Sequence, residues 1–318
     1  MVAKKTRLID VLTYLHSHNE DETCEHYNIN HETIARYRRE AKSKGITIDV
    51  EQSAVLQRIM AQYSDSELKA IARGGRVMAG MDSVPIVDFS GDRIRIGAIS
   101  DTHVGSKFTN PDHLYQAFEQ FEKDGVDFVT HAGDVTEGMS HRAGHVFECS
   151  EIGFHAQRKK AIEIFGQCPF PMYMISGNHD GWFWKTNGAN VVGDICDAIG
   201  ATYLGHDEGN ISLKGKATLK LWHGLDGNSY ALSYRLQKII EALTGGEKPH
   251  ALFAGHCHKC VYIFERHVHT YSMGSIQSQS VWARGKRIAF HTGFWVIDFV
   301  VNDSGIAKST GTWHPFYA

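Results

Sequence analysis

The chain has 318 residues, 42% hydrophobic and 22% charged, which is ordinary for a globular protein and enough for one large core plus a smaller module. A formal net charge of -3 excludes a global basic field, so any attraction to nucleic acid must be local. No apolar run approaches the ~20 residues of a bilayer span, and "MVAKKTRLID" lacks the apolar core of a signal peptide, so the expectation is no membrane contact and a cytoplasmic location.

In chain order, residues 8 to 48 read as three short helices: "LIDVLTYLHSHN", "DETCEHYN" and "HETIARYRREAKSKG". Tyr27, Ile29, Ile34 and Tyr37 are spaced to share a small core, and Asn28 stands where a turn tolerates positive φ. "TCEHYNINHETIARYRREAKSKG" resembles helix-turn-helix proteins. Its last helix carries Arg36, Arg38, Arg39, Lys42 and Lys44 against Glu32 and Glu40. On that resemblance His31, Glu32 and Arg36 would face base edges while Arg38, Arg39 and Lys42 meet phosphates, making DNA the expected partner. A helical bundle used for protein contacts is the alternative.

Residues 50–92 read as a linker with one helix, in which Ser64 and Glu67 form a capping box before the turn glycines of "RGGRVMAG". The expected domains are therefore 1–49, helix-turn-helix-like; 50–92, linker; and 93–318, catalytic.

From Arg93 onward, short apolar runs end in polar, glycine-containing turns. "RIRIGAIS", "VDFVTHA", "FPMYMIS", "TLKLW", "HALFAG", "VHTYSM" and the late "GFWVIDFVV" read as strands. Asn110-Pro111 opens a helix with an apolar face of Leu114, Phe118 and Phe121, and "SYALSYRLQKIIEALTGG" is a second helix. This alternation implies a layered α/β domain.

Oxygen and imidazole donors stand just after five of these strands: Asp101 and His103 in "SDTH", Asp134 in "AGDVTEG", Asn178 and His179 in "SGNHDG", His223 in "WHG", and His256 and His258 in "AGHCHK". Open α/β sheets bind ligands at the carboxyl ends of their strands, so these donors are placed to share a site. Twenty histidines, an excess for this length, raise the expectation of a metal. Each element alone is an ordinary polar turn. In order, over about residues 93 to 275, they resemble the calcineurin-like metallophosphoesterase superfamily, whose pattern runs DxH, GDxx(D/E), GNH(D/E), H, GHxH.

That resemblance implies a two-sheet layered α/β fold flanked by helices. It implies one metal held by Asp101, His103, Asp134 and His258, and a second by Asp134, Asn178, His223 and His256, with Asp134 bridging. Mixed oxygen and nitrogen ligation without thiolate favours two Mn2+ ions, with Fe or Zn2+ as alternatives. His179 would assist departure of the leaving oxygen, Asp180 would orient His179, and Glu137 would support a ligand from behind.

Six cysteines (Cys24, Cys149, Cys168, Cys196, Cys257, Cys260) make no disulfide framework and are read as reduced. In "AGHCHKC" an extended turn would aim both histidines one way and Cys257 the other; a rival zinc site on Cys257 and Cys260 lacks a second thiol pair.

The phosphatase branch of the superfamily typically reads GDxVDRG and GNHE, whereas Gly138 stands in place of that arginine and Asp180 in place of the glutamate. This favours phosphodiesters, and with the N-terminal module it favours a DNA nuclease or exonuclease. The alternatives are a phosphatase or small-molecule phosphodiesterase with an N-terminal assembly module, and a non-catalytic DNA-binding regulator. In "GWFWK" an aromatic residue could stack on a base or form a lid, His141 and His145 read as a polar loop that could meet substrate, and Arg235 and Lys238 read as a solvated face.

Overall fold

In a computed structural model, the described residues are 8, 10–15, 18–43, 84–140, 142–225, 231–243 and 247–317. The expected Ser64–Glu67 capping box, Lys44 and His141 lie outside them. The chain divides into two compact units, Met1–Asp82 and Ser83–Ala318. Among the described residues, no helix is long and apolar enough to cross a membrane.

The first unit contains helical residues 8 and 10–14, then helices Glu20–Tyr27 and His31–Ser43. Asn19 caps the first of these two with a reciprocal capping box to Glu22, and Asn28 ends it at φ 51, the left-handed conformation expected there. Leu8, Leu12 and Ala41 are buried together, with Leu15 and Tyr37 against them.

Among the described residues, the second unit holds two six-stranded mixed sheets. One has the order β12-β11-β2-β3-β4-β5 and the other β1-β6-β7-β8-β10-β9. The strands are β1 Ile86–Val87, β2 Arg93–Ile99, β3 Phe128–Ala132, β4 Met172–Ser176, β5 Thr202–His206, β6 Glu208–Leu213, β7 Ala217–Trp222, β8 Ala251–Ala254, β9 Cys260–Glu265, β10 Val268–Met273, β11 Gly293–Asn302 and β12 Gly305–Pro315. In the first sheet β2, β3, β4 and β5 run parallel, and in the second β7, β8 and β10 run parallel.

The period-2 pattern of β2 explains the layering. Ile94, Ile96 and Ala98 point into the space between the sheets, where they meet Leu219, Leu221, Phe253, Tyr271 and Met273. The opposite face carries Ile99, with Val129 and Met174 from its neighbours, against helices Pro111–Asp124, Phe154–Phe165 and Val191–Ile199. Helix Pro111–Asp124 forms as its sequence dictates. Asn110 caps it, proline occupies its first turn, Gly125 ends it in the left-handed conformation, and Leu114, Ala117, Phe118 and Phe121 make one buried stripe.

Between β5 and β6 the chain crosses from the first sheet to the second through one residue, Asp207, at φ 59. Its amide donates to the Ser176 carbonyl and its carbonyl accepts from the His223 amide at 2.6 Å, so the sheet crossing also fixes a strand-end histidine.

His131 on β3 is fully buried against Phe165 and bonds the Thr102 hydroxyl at 2.9 Å, while its Nδ1 has no hydrogen-bond partner. Burial lowers its pKa from 6.5 to about 3. The unfolded chain therefore binds this proton first, and the neutral ring's contribution, present above pH 6.5, is lost as pH falls toward 3. Replacing His131→Gln should flatten the acid side of the melting-temperature profile between pH 6.5 and 4; parallel profiles for the two proteins would contradict this assignment.

Candidate active site

The donors expected from the sequence do converge. They stand on loops leaving the carboxyl ends of β2, β3, β4, β7 and β8, and they form two linked groups, with His103, Asp134 and His179 as a third close set that joins them. In one, His258 Nε2 lies 3.0 Å from Asp101 Oδ1 and 3.3 Å from His103 Nε2. In the other, His223 Nε2 lies 3.2 Å from Asp134 Oδ2 and 3.0 Å from Asn178 Oδ1, and His256 Nδ1 lies 2.8 Å from that same oxygen. Asp134 stands between the groups, with Oδ2 3.7 Å from His103 Nε2. All but Asn178 and His256 of these seven side chains are buried.

The donor set fits divalent cations. His223 Nδ1 donates to the Ala132 carbonyl at 2.8 Å, which leaves Nε2 as a lone pair facing two oxygen acceptors. His103 Nδ1 faces Glu137 Oε2 at 3.1 Å, so its Nε2 is likewise turned to the cluster as a lone pair. Lone pairs packed at these distances require positive charge among them. Burial by itself would lower the His223 pKa, yet the Asp134 carboxylate outweighs it and raises the value to about 9. A divalent cation in each group would supply the same charge and use every donor.

The backbone is strained at the donors. Asp101, His103, Asp134, His256 and His258 all have φ between 45 and 76, a left-handed region that costs non-glycine residues about 1–2 kcal/mol each. The histidines of "AGHCHKC" therefore do not lie on an extended turn as expected; left-handed conformations at His256 and His258, on either side of Cys257, send His256 to one donor group and His258 to the other. Cys257 is buried, and among the described residues no group able to hold a metal contains a cysteine.

His179 sits beside the cluster. Its backbone amide donates to Asp134 Oδ1 at 2.8 Å, and its ring lies 4.4 Å from that of His103. Nδ1 faces the Glu137 carbonyl at 2.8 Å, so the ring is oriented by that carbonyl, with Nε2 left for the pocket. Burial lowers its pKa to about 4. Asp180 does not orient it. The Asp180 carboxylate is buried and accepts from the amides of Val135, Thr136 and Gly177 and from the Thr136 hydroxyl, at 2.8 to 3.0 Å, tying the Asp134 and Asn178 loops together. Burial and then the nearby Asp134 charge raise its pKa to about 6.

Glu137 supports from behind, as expected: it meets His103, accepts from Gln277 at 3.1 Å and lies 2.8 Å from His145 Nε2. His145, for which the sequence offered an exposed polar loop or a contact with substrate, is buried in this network and lines the pocket. Arg235 is a second correction. It is buried rather than solvated, and its guanidinium donates to the carbonyls of His223 and Gly255 at 2.8 and 2.9 Å, clamping two donor loops together. A lone arginine on an amphipathic helix carried no signal of this; Lys238, exposed and paired with Glu241, is the solvated residue expected. At Gly138, φ is 67 and a Cβ would collide with the His179 carbonyl, so this backbone excludes any side chain where the phosphatase pattern has arginine.

A pocket of about 390 Å³ opens over the donors. The family model for the calcineurin-like phosphoesterase superfamily domain matches residues 94–291, most of the chain. The chain belongs to this superfamily. It is a phosphoesterase-family hydrolase by fold and by donor set. Similar solved structures include a novel archaeal phosphodiesterase (16% identity, 70% of this chain and 100% of that one, TM-score 0.41) and the phosphoesterase YfcE from E. coli (17%, 68% and 98%, 0.40). Vacuolar Protein Sorting 29 from Cryptosporidium parvum is a third (15%, 72% and 100%, 0.39). No curated protein matches the sequence. The substrate question therefore turns on the side chains of this phosphoesterase itself.

The expected DNA-contacting residues His31, Glu32, Arg36, Arg38, Arg39 and Lys42 are all exposed on helix His31–Ser43. Two are engaged by acids of the preceding helix: His31 lies 3.2 Å from Glu20 and 3.0 Å from Asp21, and Arg38 lies 2.5 Å from Glu20.

Because Asp134 is common to both donor groups, Asp134→Asn should lower bound manganese, read by mass spectrometry of dialysed protein, from about two ions per chain to one or fewer. Full retention would contradict a bridging carboxylate.

Proposed function

We propose that the phosphoesterase hydrolyses phosphodiesters with two divalent cations, Mn2+ foremost, and that its substrate is DNA. The observation that carries the first half is the junction of the two donor groups at Asp134. Cations seated there would polarise a phosphoryl oxygen and lower the pKa of a water molecule. Asp101, His103, Asp134 and His258 would hold one, and Asp134, Asn178, His223 and His256 would hold the other.

The remaining steps belong to the chain. The Ala132 carbonyl fixes the tautomer of His223, and the Glu137 carboxylate 3.1 Å from His103 Nδ1 favours a proton there, so that both present Nε2. His179, held by the Glu137 carbonyl, presents Nε2 beside the cluster. Its ring is neutral in the free chain, and an anionic phosphodiester brought next to it favours its protonated form. It can then give that proton to the departing alkoxide, so bond cleavage leaves an alcohol and a phosphomonoester. Asp180 holds the loop that carries His179. The diester preference rests on Gly138, where no phosphate-binding arginine fits.

The DNA half rests on the basic face of helix His31–Ser43. Because Glu20 and Asp21 engage His31 and Arg38, the residues left for phosphates are Arg36, Arg39 and Lys42. The same acids favour a second reading, a small-molecule diesterase whose first unit serves assembly. A non-catalytic regulator needs no such complete donor set.

With manganese, His179→Asn should lower kcat on a nitrophenyl diester about 10²–10⁴-fold while metal content is unchanged; unaltered turnover would remove His179 from the chemistry. Measured side by side, labelled DNA and the diester should both be cleaved faster than a nitrophenyl monoester, and inert DNA beside a fast monoester would end the nuclease reading. In the full chain, the triple change Arg36→Ala, Arg39→Ala and Lys42→Ala should weaken duplex binding and reduce the log–log salt slope by roughly 2–3, since each phosphate contact contributes about 0.9. An unchanged slope would favour the second reading.

A further inference from the structure

The pocket over the donor cluster extends well beyond what a phosphate group needs. The donors and His179 line part of it, and Trp182, packed on His179, Phe290, packed on His258, together with Trp282 and Ile288 add an aromatic and apolar wall. The structure thereby divides the aromatics of "GWFWK". Phe183 is buried in the helix-side core and half-exposed Trp184 lies 5.0 Å from His206, whereas Trp182 faces the pocket with its ring 4.0 Å from that of His179. Trp282 stands on the short helix Val281–Gly285, capped by Ser280, and is 46% exposed, a large apolar ring held at a pocket mouth rather than in a core.

One loop braces both indoles. His145 meets the edge of Trp182 at 5.5 Å, and Arg142 lies over the face of Trp282 at 5.7 Å, with its guanidinium 2.6 Å from Glu148. A wall of indoles beside a phosphate site suits a planar, weakly hydrated group attached to the phosphoester, because stacking on an aromatic face rewards any flat heterocycle without reading its edges. At about 390 Å³ the pocket lies within the range of small-ligand sites.

We propose that Trp182 and Trp282 form a base-stacking subsite, so that the ester bound at the donor cluster is that of a nucleoside. This rests on the phosphodiesterase reading for the position of the phosphate and deepens it by naming the group next to that phosphate. Trp282 is the specificity-determining residue, since it contacts no donor, while Trp182 also packs on His179.

The test is a calorimetric titration of the full-length, manganese-loaded protein with dAMP and, separately, with 2-deoxyribose 5-phosphate, which shares the phosphate and sugar and lacks the base. dAMP should bind about tenfold or more tightly than the sugar phosphate. Trp282→Ala should reduce that preference to about twofold or less, leaving the sugar phosphate's affinity and the melting temperature unchanged, and Trp282→Phe should restore most of it. Equal affinities in the wild-type protein, binding of neither ligand, or a preference that survives Trp282→Ala would each overturn the subsite. Binding is read without turnover: a base preference in a protein that cleaves no diester would support the subsite and remove the phosphodiesterase reading, whereas cleavage without the preference would do the reverse.

Discussion

The structure of the second unit turns on a crowding of lone pairs. Carboxylate, amide and imidazole acceptors from five strand ends meet around Asp134, with the protonated nitrogens of His103 and His223 turned away toward Glu137 and the Ala132 carbonyl. Such an arrangement repels itself unless positive charge enters it. Everything around it works to hold the donors in place against that repulsion: Asp180 ties the loops after β3 and β4, Arg235 ties the loops after β7 and β8, and the amide of His256 donates to Asp101 at about 3.0 Å.

The backbone carries part of the same cost. Left-handed conformations at Asp101, His103, Asp134, His256 and His258 persist only because two cores over-determine the strand ends. One core lies between the sheets and the other under the helices, so the strands cannot shift to relieve the loops. The strain puts donors from both sheets at one rim, with the His223 amide held by Asp207, the residue that joins β5 to β6.

Much of this was legible in the sequence. The seven strands read from apolar runs all form, because buried strands have near-continuous apolar patterns, and the donors were visible because each follows such a run. The strands β1, β5, β6, β9 and β12 were not read: β1 is two residues long and lies in the stretch read as linker, "TYLGH" and "EGNISL" are short and polar, and β12 is an edge strand whose residues are largely exposed. The local conformation of "AGHCHKC" was also out of reach, since left-handed histidines contradict their own intrinsic preference and are imposed by tertiary structure. Arg235, His145 and Trp282 share one explanation. Each acts through a carbonyl, a carboxylate or a pocket outside its own helix or turn, and no local spacing records that. Asp180 was placed correctly beside His179 in the sequence but turned the other way, because backbone amides on two loops compete for its oxygens.

The charge demanded by the donor cluster can be located directly. Crystals of the manganese-loaded protein, measured by anomalous X-ray scattering at the manganese edge, should show two peaks roughly 3.5–4 Å apart, one on either side of the Asp134 carboxylate. A single peak, none, or two peaks of which neither touches Asp134 would contradict the account.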